Sequence, residues 1–293
     1  MELELRHIRK SFGEKTVLED ISFTASSGRA FGLLGRNGAG KTTTIRIVMD
    51  VFPADGGEVL LDGKPIDYTK LGTGYLPEER GLYPKKKIGE QLLYFARLKG
   101  MNKPDAVKAI DRWLARLDMA AYKDKKLQTL SKGNQQKIQL ITAVAHDPDL
   151  IVLDEPFSGL DPVNAELLKS VVMEEIERGK IVLFSSHQMN YIEEFCDHIA
   201  ILNRGRLALE GSLREIKRSY PRTTLTVTSP EIDKIAAAFG GEPAGDTLTL
   251  KLRDEDEKRS VMQRLTAEFE LDGVRVFEPS LADIFVEYAG DAT

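Results

Sequence analysis

Cysteine is almost missing from this chain: Cys196 is the only one in 293 residues. A lone thiol excludes an internal disulfide and a cysteine-built zinc cluster. Cys196 follows Phe195 in an apolar run with helical spacing, which predicts a buried structural thiol. A basic excess is missing as well. With 41 Lys and Arg against 46 Asp and Glu, the net charge is −5, which argues against a general nucleic-acid binder. No run of about 18 apolar residues is present, so no spanning helix is expected. The opening Met1-Glu2-Leu3-Glu4 has no signal-peptide character, and a cytoplasmic chain that reaches a membrane only through a partner is the expectation. Internal repeats and low-complexity tracts are absent too. What remains is an ordinary globular composition, 42% hydrophobic and 30% charged, long enough for one large domain and a small one.

Against that background one segment is specific. Gly35-Arg36-Asn37-Gly38-Ala39-Gly40-Lys41-Thr42 fits the phosphate loop G-x-x-x-x-G-K-[ST]. Its glycines let the backbone turn tightly and aim N–H groups inward as an anion nest. Lys41 is expected to reach the β- and γ-phosphates of a nucleotide, and the Thr42 hydroxyl to ligate Mg²⁺. Arg29–Leu34 reads as a buried strand before the loop, and Thr43–Val48 as the start of a helix whose dipole favours phosphate.

A phosphate loop needs a second acidic strand, and Leu150-Ile151-Val152-Leu153-Asp154-Glu155 supplies it. Four apolar residues make a buried strand with two acids at its C-terminal end, where open α/β sheets place ligands. Asp154 is expected to hold Mg²⁺, directly or through water, and Glu155 to act as general base on the attacking water. His187, just after the strand Ile181–Phe184 and the pair Ser185-Ser186, is placed to donate to the γ-phosphate.

The wider pattern is organised around these pieces. Strands are expected at Leu3–Ile8, Val17–Phe23 and Gly57–Leu61, the last closed by a turn at Asp62-Gly63. From Ile88 to about Leu117 the spacing turns helical, with Trp113 read as core of an inserted helical subdomain spanning about 88–146. Helix Gln135–Ala145 leads to the acid strand, and helix Asn164–Glu177 to the strand Ile181–Phe184, an alternation that implies a mostly parallel sheet covered on both faces. A boundary near Ser219-Tyr220-Pro221 divides 1–218 from 219–293. Beyond it the order β-α-β-β-α-β predicts a ferredoxin-like unit, with a final helix Leu281–Tyr288 returning toward the larger domain.

Taken together, these residues resemble the ATP-binding subunit of an ABC transporter, over residues 1 to about 215. The resemblance implies an α/β fold of the P-loop ABC-ATPase type, a mixed sheet plus helical subdomain, followed here by a small α+β domain. It further implies that Phe12 stacks on adenine, and that Gly35, Arg36, Asn37, Gly38, Ala39, Gly40, Lys41, Thr42 and Thr43 hold the phosphates. Leu130-Ser131-Lys132-Gly133-Asn134 matches the family signature, and Ser158-Gly159-Leu160-Asp161 the loop that links two ATP sites across a dimer. His187 matches the switch histidine. Two copies are then expected to pair head to tail. Ser131, the Gly133 N–H and Asn134 of one copy, on a helix beginning near Asn134, would face the ATP of the other.

Two positions depart from the family pattern. Lys132 and Asn134 stand where it has glycine and glutamine, and Lys132 must adopt a conformation in which glycine is freer. Glu78 stands where it has glutamine, close to Mg²⁺ and the nucleotide.

The segment Tyr75–Arg80 and the helix after it are expected to face a membrane subunit. Lys85-Lys86-Lys87 reads either as a solvated loop or as a contact with acidic headgroups or the permease. The run 77–84 and the tail 278–285 resemble bacterial ABC-2 type exporters. The expectation is therefore an ATPase on the cytoplasmic face of the membrane, using ATP and Mg²⁺, pairing with itself when ATP is bound, working with an ABC-2 type permease and binding no nucleic acid. The alternative is a non-transport regulatory ATP-binding module with weak hydrolysis. Related ATPases of DNA repair, chromosome structure or translation would call for a coiled-coil insertion, a zinc module or two tandem halves, none of which the sequence contains.

Overall fold

Apolar–polar alternation builds two long strands at the start of the chain, β1 (Glu2–Phe12) and β2 (Lys15–Ser26), paired antiparallel around the turn at Gly13. Leu3, Leu5, Ile8, Leu18, Ile21 and Phe23 face one core and are buried. The computed structural model describes residues 1–79 and 81–289. Arg80 and 290–293 lie outside the described residues, so the expectation for the end of the Tyr75–Arg80 segment does too.

β3 (Arg29–Gly35) runs into the phosphate loop and α1 (Lys41–Val48). A hairpin follows, β4 (Gly56–Leu61) and β5 (Lys64–Pro65), turning at Asp62-Gly63 with φ of +50° and +72°. Asp and Gly tolerate this left-handed geometry at low cost. β6 (Thr73–Leu76) comes next. The helical stretch divides in two, α2 (Ile88–Leu98) and α3 (Lys103–Arg116). The division falls at Gly100, φ +88°, and Asn102 caps α3 by accepting from the Asp105 N–H. Trp113 is buried in this subdomain beside Ile110 and Leu114 on α3. Then come α4 (Lys132–Val144), β7 (Leu150–Asp154), α5 (Pro162–Glu177), β8 (Ile181–Ser185), α6 (Met189–Phe195), β9 (Cys196–Asn203), β10 (Arg206–Ser212) and α7 (Leu213–Ser219).

The sheet order is β5-β4-β1-β2-β10-β9-β3-β8-β7-β6. The neighbours β9, β3, β8, β7 and β6 pair parallel, whereas β5, β4, β1 and β2 pair antiparallel. The sheet is thus mixed, and its parallel character is confined mainly to one half. β7 and β8 are buried at every residue, as strands covered on both faces must be. Cys196 corrects the helical reading of its neighbourhood: it opens β9 and pairs with Ala30 of β3. The residue is buried, and burial pushes its thiol pKa well up, so the thiol is inert.

The chain divides into two units, Met1–Leu213 together with the stretch from Phe285 onward, and Arg214–Ile284. The second unit contains β11 (Thr224–Thr228), α8 (Ile232–Phe239), β12 (Glu242–Ala244), β13 (Thr247–Lys251), α9 (Glu255–Glu268) and β14 (Gly273–Val276). Its strands lie in the order β12-β13-β11-β14, all antiparallel, over a core that includes Leu225, Val227, Ile235, Leu248, Leu250 and Leu265. That is the split β-α-β arrangement. The last helix, α10 (Leu281–Ala289), crosses the division, and within the first unit Asn203 Nδ2 donates to the Tyr288 carbonyl at 3.2 Å.

Candidate nucleotide-binding and hydrolysis site

The phosphate loop is built by glycine conformations. Gly38 and Gly40 hold φ of +81° and +112°. A Cβ at Gly40 would stand 2.4 Å from Leu18 Cδ2 and 3.3 Å from the Val17 carbonyl oxygen. β2 therefore presses against the loop so closely that no side chain fits. The loop borders a cavity of about 630 Å³. Among the lining residues Lys15, Arg36, Lys41 and Arg204 are cationic, and Glu78, Asp154 and Glu155 are acidic. Lys41 is buried, and its Nζ donates to the Gly35 carbonyl at 2.6 Å.

Two carboxylates close the other side. Asp154, 1% exposed, ends β7, and Glu155, 6% exposed, follows it with φ +51°. A non-glycine residue in that region stores backbone strain of the kind concentrated at functional sites. The parallel register of β7 and β8 sets Asp154 opposite Ser185. In consequence the Ser185 hydroxyl donates to Asp154 Oδ1. One residue on, the Ser186 hydroxyl donates to Glu155 Oε2 at 3.1 Å, and His187 Nδ1 lies 2.9 Å from the same oxygen. The Thr42 hydroxyl reaches Asp154 Oδ2 at 3.4 Å, which joins the phosphate loop to the acid strand. Burial pushes the Asp154 carboxyl pKa up, and the charge of Glu155 adds to this; Ser185, Lys41 and Thr42 pull the other way. Tyr75, half-buried on β6, has its hydroxyl pKa pushed up to about 12 by burial, reinforced by the Asp154 charge.

The donor set suits a hard cation that is shared with phosphate. Mg²⁺ commonly takes one or two protein oxygens and completes its shell with water and phosphate oxygens. A buried carboxyl whose pKa burial pushes up, with a hydroxyl within 3.4 Å, supplies such a pair of oxygens. No cluster of three or more His, Cys, Asp or Glu able to cage a metal occurs among the described residues.

The residues named from sequence do not all meet in space, and Gly35 and Ala39 belong to the loop without lining the cavity. Arg36, Asn37, Gly38, Gly40, Lys41, Thr42, Thr43, Glu78, Asp154 and Glu155 line the cavity, and His187 is attached to it through Glu155. Phe12 does not line it. Its ring packs edge-on against Phe52 at 5.5 Å and is half exposed. Ser131, Gly133, Asn134 and Asp161 do not line it either. They gather elsewhere, at the adjoining N-termini of α4 and α5, where a Cβ on Gly133 would come 3.2 Å from Asn164 Nδ2. That Asn164 amide in turn donates to Asp161.

The structure also moves the start of α4 from Asn134 back to Lys132. Ser131 is its cap and accepts from the Asn134 N–H at 3.3 Å. Lys132 thus sits in an ordinary helical first turn and not in the left-handed region, which removes the backbone penalty its sequence position suggested.

Sequence reasoning missed Lys15, Thr16, Val17, Arg204 and Gly205 in the cavity lining, and the roles of Ser185 and Ser186. Two hydroxyls ending a strand that neighbours an acid strand were the available signal for the serines.

Comparison with known proteins bears on the family. Residues 18–158 match the family described as ABC transporter, and residues 211–289 match the C-terminal domain of ATP-binding protein DrrA1-3-like. The chain is 43% identical over 293 residues to the ABC transporter ATP-binding protein YhaQ of Bacillus subtilis, covering 98% of each. It is 31% identical over 306 residues to the Nod factor export ATP-binding protein I of Rhizobium sp., covering 98% of this chain and 97% of that one. A solved ATP-binding subunit of an ABC transporter superposes with a TM-score of 0.69 at 28% identity, covering 74% of this chain and 92% of that one.

Proposed function

The chain belongs to the ABC transporter family of ATP-binding proteins, and we propose that it is the ATP-hydrolysing subunit that powers export through a separate ABC-2 type permease. The observation that carries the hydrolytic reading is the pairing of a buried Asp154 within reach of Thr42 with a Glu155 carboxylate fixed by Ser186 and His187 beside the same loop. A regulatory module with weak hydrolysis would have no need to hold a strained, buried carboxylate in that place.

Each residue has a task in phosphoryl transfer to water. The N–H groups of 36–43 and the α1 dipole receive the phosphates. Lys41 exchanges its bonds to the loop carbonyl for the β- and γ-phosphate oxygens. Thr42 and Asp154 would hold Mg²⁺, with Glu78 beside them, and the chemistry such an ion would supply is neutralisation of phosphate charge. Glu155 orients the attacking water and accepts its proton. His187 donates toward the γ-phosphate and restrains Glu155 through Nδ1. Transfer is accelerated mainly by positioning and fixed charges. Phe12, on the surface beside Phe52, offers a face for the base.

ATP-binding subunits of this family dimerise and work with membrane permeases. The separation of Ser131, Gly133, Asn134 and Asp161 from the cavity supports a head-to-tail pair in which they complete the partner's site. Among the described residues no helix is long and apolar enough to cross a membrane, in keeping with a subunit held at the cytoplasmic face by its permease. The cleft lined by Tyr75, Pro77, Leu82, Phe95, Leu98 and Lys99 is an apolar surface suited to a permease helix.

The test is a phosphate-release assay on the purified chain, alone and with the co-purified permease. Mg²⁺-dependent turnover stimulated by the permease supports the proposal. ATP binding without turnover in either state overturns it in favour of the regulatory module.

A further inference from the structure

Two lysine runs that lie far apart in sequence meet in the fold. Lys85-Lys86-Lys87 precedes α2, and Lys123-Asp124-Lys125-Lys126 follows α3. The backbones pair through a bridge between Lys87 and Lys126. The Ile88 N–H donates to the Lys125 carbonyl at 3.0 Å, the Gly89 N–H to that of Lys123 at 2.8 Å, and the Leu127 N–H to that of Lys86 at 3.2 Å. The ten residues 83–87 and 122–126 thus place six lysines together with a single acid, Asp124, in a chain of net charge −5. Lys123 pairs with Asp111. Lys85, Lys86, Lys87, Lys125 and Lys126 are exposed, and none makes an ion pair among the described residues.

Aromatic rings accompany the charges. Tyr83 and Tyr94 are each 52% exposed, and Tyr122, beside Lys123, is 37% exposed. Tyr83, Tyr94, Lys86, Glu90 and Gln91 enclose a hollow of about 290 Å³. Gln91 is 3% exposed; its Oε1 accepts from the Tyr83 N–H, and its Nε2 has no partner among the described residues. The hollow is therefore bordered by one ammonium, Lys86, and one carboxylate, Glu90, while the Gln91 amide nitrogen is itself buried. Lysines attract anionic headgroups, and tyrosine, with its apolar body and polar tip, settles at headgroup depth.

We propose that this lysine and tyrosine face docks on the anionic phospholipid surface of the bilayer that carries the permease. The lysine excess is complementary to that surface, and the exposed ammonium groups match phosphate oxygens. Contact with lipid is a second attachment besides the permease. The inference draws its choice of membrane from the transport reading, but its test needs no permease, so the two can fail separately.

Purified chain is floated with vesicles of phosphatidylcholine alone, and with vesicles containing about one third phosphatidylglycerol, at low and at several-fold higher salt. Binding to the anionic vesicles only, released by salt, is the expected result. Lys85→Ser, Lys86→Ser and Lys87→Ser together should lower partitioning by up to about a hundredfold, since each lysine near such a surface contributes up to about fivefold. Lys125→Ser with Lys126→Ser should lower it by a smaller factor. Neither set should change the melting temperature or basal phosphate release. Equal binding to neutral vesicles, no binding to anionic ones, or variants that bind like the parent would each overturn the assignment. If protein-free anionic vesicles are ignored while the same variants lose co-purification with the permease, the face belongs to a protein contact and the lipid proposal falls.

Discussion

Removing one hydroxyl, in Ser186→Ala, tests whether the fold positions Glu155 or merely contains it. Ser186 is 1% exposed, donates to Glu155 Oε2 at 3.1 Å and accepts from the Gln188 N–H at 3.0 Å. A hydrogen bond to a charged group is worth about 1.5–3 kcal/mol. If that energy serves entirely to hold the carboxylate where it receives the water proton, kcat falls by about one to two powers of ten, since about 1.4 kcal/mol is tenfold in rate. The Km for ATP should stay unchanged, because Ser186 lies outside the residues that line the cavity beside the phosphates. His187 Nδ1 remains as a second restraint on Glu155, so the loss should be smaller than for Glu155→Gln. Ser186→Thr keeps the hydroxyl and should restore most of the rate. The assay is steady-state phosphate release over a range of ATP concentrations, with a thermal melt as control. An unchanged kcat in a Ser186→Ala protein that melts normally would refute the positioning argument, as would an effect confined to Km.

Three further outcomes are expected. Glu155→Gln should retain ATP binding, lose nearly all turnover and elute as a dimer with ATP; undiminished phosphate release would remove Glu155 as the base. Lys41→Ala should abolish ATP binding by equilibrium dialysis, and unchanged affinity would overturn the phosphate-loop assignment. His146 bears on pH dependence. Its Nε2 lies 2.9 Å from the Thr73 carbonyl, and burial holds its pKa below 6.5. A histidine kept neutral in the fold contributes stability above the unfolded pKa of about 6.5 that is lost as pH falls through the lower folded value. The urea midpoint should therefore drop below pH 6.5, and His146→Gln should flatten that drop; parallel curves for the two proteins would refute it.

What could be read from the chain was whatever lies in one continuous stretch. The phosphate loop, with its preceding strand and following helix, occupies 29–48, so every residue needed to recognise it is a sequence neighbour. The acid strand is equally local, four apolar residues and two carboxylates. The β-α-β-β-α-β order of the C-terminal unit was legible because periods of two and about 3.6 differ clearly over such lengths. Local reading failed where a neighbour outweighed intrinsic pattern. Cys196 continues the helical spacing of 189–195, yet pairing with β3 draws it into a strand.

The amino-acid sequence by itself determined the family, and it supplied the phosphate-loop motif and the two adjacent acids, because those depend on residue type at fixed short spacing. Only the tertiary structure decided what surrounds them. Parallel pairing of β7 with β8 brings Ser185 and Ser186 onto carboxylates 31 residues away. A bond from the Glu19 N–H to the Gly205 carbonyl ties β2 to the turn before β10, beside the nucleotide cavity that Lys15 and Arg204 help to line. The bridge between Lys87 and Lys126 gathers two separate basic runs into one face. Such proximities follow from strand register and chain crossings, which bring together residues that no local spacing relates.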